Sequence, residues 1–178
     1  MLSNKPRLNV ALYARGGRPK MPGKEDTYHW GLIVGPKNDD QNKDGVCYHA
    51  KESFVEGRSE WVFQEIECSR QVASMLLVRV LVGKVKDRSQ LSETMRAVSI
   101  RSGEEGWNCV SWVEEALEKV TAHGKILSSN VAEWETIRNE AMRYCQLKKD
   151  EHRFDGKKNY DMSKVPTYDM MQSKEIVV

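Results

Sequence analysis

Several features that would settle a function class are missing from this chain of 178 residues. No apolar run approaches the roughly 20 residues needed to cross a bilayer. The longest, residues 72–85, is broken by Ser74, Arg79, Gly83 and Lys84. The net charge is only +2, too small to suggest nucleic acid or an anionic membrane surface as partner. The first residues, Met1-Leu2-Ser3-Asn4-Lys5-Pro6-Arg7, lack the apolar segment of a secretory signal, so a cytoplasmic location is expected. The four cysteines form no CxxC pair, which argues against a zinc module or a disulfide framework and for free thiols. There is no internal repeat and no low-complexity tract.

What remains is ordinary globular composition, 39% hydrophobic and 30% charged, at a length that suits one domain with a real core. Residues 7–14 alternate, with Leu8, Val10 and Leu12 on one side, and predict a strand. Residues 15–26 are rich in glycine, proline and charge. They predict a loop whose Arg15, Arg18, Lys20 and Lys24 are mainly solvated, although an anionic substrate would also suit them. Residues 28–34 and 46–51 predict an antiparallel hairpin around a polar turn. Residues 61–66 and 75–85 predict two further strands, the last buried on much of both faces.

Helices are expected over residues 89–98, with Ser89 as N-cap, and over 108–122. The second carries Val110, Val113, Leu117 and Val120 at helical spacing. A third, over about 131–148, is expected to be capped by Ser129 or Asn130. Residues 1–150 therefore read as the domain and 151–178 as a polar C-terminal tail. The fold class is α+β, with about five antiparallel strands packed on the helix that begins beside Cys109.

Chemistry concentrates in two places. Tyr28-His29-Trp30-Gly31-Leu32-Ile33-Val34-Gly35 and then Tyr48-His49-Ala50 put one histidine on each of two neighbouring strands. Trp107-Asn108-Cys109-Val110-Ser111-Trp112-Val113 opens a helix with Asn108 as a good N-cap and a thiol in the first turn. The thiolate is the reactive form of cysteine, and both a helix N-terminus and an imidazolium lower the thiol pKa. One imidazole would act as base to Cys109 and the other would orient it. Helix-start amides would help hold an oxyanion. Tyr28, Trp30, Trp107 and Asn108 flank these groups and are the expected substrate contacts. A zinc site from Cys47, His49 and His29 or Cys109 has no usual ligand spacing, so neither a metal nor another cofactor is expected.

These segments resemble the circularly permuted NlpC/P60 branch of the papain-like superfamily, in particular lecithin:retinol acyltransferase and the H-Ras-like suppressor enzymes. That pattern has a His-Trp strand, a second histidine near the end of the next strand, and a later Asn-Cys helix start. The chain is also similar to a group of short fungal proteins with the same His-Trp and Asn-Cys segments. The resemblance spans about residues 8–117. It implies Cys109 as nucleophile, His29 as general base, His49 as the orienting residue and a thioester intermediate. Val110 and Ser111 depart from the Glu-His that follows the cysteine in that pattern. Lys174-Glu175-Ile176-Val177-Val178 cannot be a membrane anchor like those of the lipid-acting members. The expectation is thus a cysteine-dependent hydrolase or acyltransferase for a small-molecule or peptide-like acyl substrate, without stable membrane insertion. A binding module that keeps the fold but not the chemistry is the alternative, and an interaction protein with an exposed aromatic surface is a third reading.

Overall fold

A computed structural model describes residues 4–39, 44–68, 74–131 and 133–178. Five long strands come first: β1 (Arg7–Ala14), β2 (Tyr28–Gly35), β3 (Val46–Val55), β4 (Arg58–Glu67) and β5 (Leu76–Val85). A single 3-10 turn, Glu25–Thr27, leads into β2. Then follow α1 (Arg88–Arg96), α2 (Cys109–Ala122), β6 (Leu127–Asn130), α3 (Trp134–Asp150), β7 (Thr167–Asp169) and β8 (Lys174–Val177). The strands make one sheet in the order β4-β3-β2-β1-β5-β7-β8, with β6 also paired to β5. The pairings are antiparallel except β5 with β7.

The expected α+β class holds, but the sheet has eight strands rather than five. The additional three are only three or four residues long and show no alternating pattern. They are strands because β5 offers β6 and β7 a ladder and β7 in turn offers one to β8, a tertiary cause that propensity does not report. Two of them lie in the segment read as a polar tail, so residues 151–178 extend the sheet. The α1 cap is Asp87, two residues before Ser89, and its carboxylate accepts from Gln90 N–H at 2.9 Å. Likewise Ser129 and Asn130 belong to β6, and Glu133 stands at the N-cap of α3.

All three helices cover one face of the sheet. There Leu8, Val10, Leu12, Trp30, Leu32 and Val80 meet Leu91 and Met95 of α1, Trp112 and Val113 of α2, and Ile137 and Ala141 of α3. Each fully buried large side chain of this layer contributes about 1.5–3 kcal/mol. The opposite face carries a smaller cluster that includes Ala11, Tyr13, Ile33 and Cys47. The β3–β4 connection is a two-residue turn, Glu56-Gly57, with φ of 48° and 78°. Positive φ at both central residues matches the twist of a hairpin and fixes its register.

The C-terminal strands are tied down by an ion cluster. Lys148 is 1% exposed and pairs with Glu151 at 2.8 Å and with Glu175. Tyr144 donates its hydroxyl to Glu175 at 2.5 Å. Burial alone would push Lys148 down, but these carboxylates outweigh it and hold it above its usual value. Glu175→Ala is therefore expected to lower stability by about 1–2 kcal/mol in urea melts and to speed tryptic cleavage at Lys174. An unchanged midpoint and cleavage rate would contradict this anchoring role.

Candidate functional site

Cys109 is set in place by the cap of α2. Asn108 Oδ1 accepts from Val110 N–H at 2.9 Å and from Ser111 N–H at 3.4 Å, and Ser111 Oγ accepts from Asn108 N–H at 3.3 Å. This reciprocal capping box fixes the first helical turn. It also engages two of the helix-start amides expected to serve an oxyanion, leaving the N–H of Cys109 itself. The backbone amides of Trp30, Val110 and Cys109 all lie toward the thiol. Burial pushes the thiol up. The amides and the charge of Arg15 pull it down by less, so the resting group is a protonated thiol. The side chain is fully enclosed, and Met21 of the 15–24 loop lies on Asn108, its sulfur 3.4 Å from Nδ2.

The β2–β3 ladder near the Trp30 amide is short. Pairing runs only over Leu32–Tyr48, Ile33–Cys47 and Val34–Val46. Residues 28–31 have no partner in β3. At the fork Gly31 permits a close approach: a Cβ there would stand 3.3 Å from His49 Cβ. Alternation then puts the side chains of His29, Cys47 and His49 on the face opposite the helices, beside Tyr13.

The two imidazoles meet. His29 Nε2 and His49 Nδ1 are 2.6 Å apart, and His49 Nε2 is 3.1 Å from Gln64 Oε1. An amide oxygen only accepts, so His49 Nε2 carries hydrogen and His49 Nδ1 is its lone pair. His29 Nε2–H therefore donates to His49, and His29 Nδ1 is left unprotonated. Burial drives His29 down to about 3, with the neighbouring His49, Arg15 and Lys51 acting in the same direction. Burial also lowers His49, which the Gln64 bond partly offsets. Both rings are neutral at pH 7. No hydrogen bond joins Cys109 Sγ to either ring. Between them lies the peptide that joins His29 to Trp30, whose N–H lies toward the sulfur.

The histidines floor a cleft of about 380 Å³ whose lining includes Tyr13, Arg15, Lys51 and Gln64. Arg15 pairs with Glu52 at its rim, 3.4 Å away. The expected substrate contacts lie elsewhere. Trp30 is fully buried and donates its indole N–H to Glu25 O at 2.8 Å. Trp107 packs edge-on against Trp61, centroids 6.1 Å apart. Asn108 is the cap. Tyr28 borders an adjoining cavity of about 460 Å³, where Lys149 sits 4.8 Å over its ring. Trp30, Trp107 and Asn108 thus support the site from behind. The residues that sequence reading missed are Gln64, Tyr13 and Lys51. Gln64 had a usable signal: counting back from the Glu56-Gly57 turn pairs it with His49. Cys47 bonds Tyr13 at 3.3 Å, and burial pushes it up to about 12. Among the described residues no group of three or more His, Cys, Asp or Glu side chains is placed to hold a metal ion.

The family model of DUF6914, a family of unknown function, matches residues 5–177. The chain belongs to that family. The match runs from before β1 through β8, so it spans the positions of His29, His49 and Cys109 in this chain. No curated protein and no solved structure matches the chain.

Neutral, buried imidazoles have a consequence for this DUF6914 member. In the unfolded chain each histidine titrates near 6.5, whereas folded His29 does so at about 3. The stability held by the neutral rings is complete above pH 6.5 and is lost as pH falls toward 3. The urea midpoint is expected to drop between pH 7 and pH 4, and the drop is expected to flatten in the double variant His29→Asn/His49→Asn. An equally steep drop in that variant would contradict the burial of neutral rings.

Proposed function

We propose that the chain is a cysteine-dependent hydrolase or acyltransferase acting through a thioester on a small amide, ester or peptide-like substrate. The observation that carries this reading is the His29–His49–Gln64 chain of hydrogen bonds, which leaves His29 Nδ1 as a lone pair. The resemblance to the permuted NlpC/P60 pattern supports it, since the order His, His, Cys and the settings on two strands and a helix start agree. A fold of that type is part of the same proposal.

In this mechanism Cys109 and His29, which share no hydrogen bond at rest, first come together, and His29 Nδ1 takes the thiol proton as Cys109 Sγ bonds to the substrate carbonyl carbon. The carbonyl π electrons move to oxygen, and the Cys109 N–H is the helix-start donor left to meet that charge. As the tetrahedral species collapses, the bond to the amine or alcohol breaks and the His29 imidazolium returns the proton to that leaving group. Water or an acceptor then attacks the thioester, giving its proton to His29, and the carbon–sulfur bond breaks with the thiol reprotonated. His49 and Gln64 position the base and bear part of its transient charge. Because the resting pair is neutral, thiol deprotonation is coupled to the attack. The enclosure of Cys109 requires the 15–24 loop to move before substrate reaches the sulfur. That same enclosure favours the second reading, a binding module that uses the cleft without chemistry.

Incubation with 4-nitrophenyl acetate separates the two. The enzyme reading expects an acetyl adduct on Cys109 by peptide mass spectrometry and steady release of nitrophenol. Cys109→Ser abolishes both, His29→Asn slows acylation by about 10²–10⁴-fold, and Gln64→Leu slows it by about 10-fold or more. Adducts that form at the same rate in His29→Asn, or only on Cys47, Cys68 or Cys145, would overturn it and leave the binding module.

A further inference from the structure

The same sheet face carries a second polar cavity of about 410 Å³, at the other end of β1 from the histidines. Asn9 lines it and Tyr13 lines the cleft, four residues or roughly 13 Å apart along one strand. Buried polar groups are costly, and here they gather. Arg7, Asn9, Arg79, Thr167 and Asp169 are each less than one-tenth exposed and all line this cavity. This is a size that suits small-molecule sites.

Two features point to the chemistry of an occupant. The first is charge. Arg7, Lys37, Arg79 and Lys174 face Asp39 and Asp169. The carboxylate of Asp169 is already bonded to the Met171 and Gln172 amides at 2.8 and 3.1 Å. Arg79 is held by Thr167 and by the Asp39 carbonyl. The side chains of Lys37 and Lys174 make no ion pair among the described residues. The second feature is an acceptor. Asn9 is 4% exposed, yet its Oδ1 has no hydrogen-bond partner among the described residues. Asn9 lines the cavity, and its sealed, unpartnered oxygen favours an occupant whose O–H or N–H draws the side chain outward.

We propose that this cavity binds a small hydroxylated anion, such as a polyol phosphate or hydroxy-carboxylate, with Lys37, Lys174 and Arg7 meeting its charge and Asn9 Oδ1 accepting from a hydroxyl. The site is independent of the acyl chemistry, because no residue lines both cavities.

Calorimetric titration at low ionic strength with glycerol 3-phosphate, inorganic phosphate and glycerol as probes tests it. Glycerol 3-phosphate is expected to bind, inorganic phosphate to bind about tenfold more weakly, and glycerol to give no detectable heat. The double variant Lys37→Ala/Lys174→Ala, confined to the cavity mouth, is expected to weaken both anions by tenfold or more. Asn9→Val is expected to bring the two anions to equal affinity, and Asn9→Ser serves if the valine variant does not fold. The absence of heat with all three probes would overturn the site. So would affinities unchanged in the lysine variant. A tenfold preference retained in a folded Asn9 variant would remove Asn9 from the recognition.

Discussion

β3 parts from β2 after Leu32 and Tyr48, and the unpaired stretch of β2 is where the Trp30 amide lies toward the Cys109 thiol. Much else follows from that short ladder. The helix that begins at Cys109 packs on β2 and β3, and its thiol lies toward the Trp30 amide, next to a histidine that points to the other face. Gly31 lets the two histidine-bearing strands approach closely enough for the rings to bond before they diverge. The capping box on Asn108 then holds the thiol at that height. A longer ladder would close the fork and separate the two halves of the site by a continuous sheet.

The electrostatics at the fork are those of a resting state. Burial pushes the thiol up and the imidazoles down, which is the direction that stores no charge in a low-dielectric site. An ion pair formed there needs stabilisation from outside the pair. His49 and Gln64 supply one part through directed hydrogen bonds, and the polar cleft with Arg15 and Lys51 sets the charge that a substrate would meet.

Most of what positions the site was legible in the sequence. Alternation gave β1, the polar turn gave the pairing of the two histidine strands, and Asn108 before an apolar helical stripe gave the cap and the place of Cys109. The register that brings His29 to His49 was not legible, because the loop between their strands is long and pairing geometry is a tertiary outcome. Trp30 and Trp107 look like substrate contacts only until their faces are known. Both turn to the helix layer, where indole area is more stabilising inside than at a cleft. The short strands β6 to β8 lack any periodic signal. Lys148, an unremarkable helix-end lysine by sequence, proves to be the buried centre of the cluster that holds the last of them.

The central claim is that Gln64 and His49 fix His29 as a neutral imidazole with its proton on Nε2. Long-range proton–nitrogen correlation spectra of the ¹⁵N-labelled protein at pH 7 test this most directly. The account predicts that both rings are neutral Nε2–H tautomers, and that Gln64→Leu releases His49, and with it His29, into a tautomeric mixture. Hydrogen on Nδ1 of His29, or an imidazolium at that pH, would contradict it.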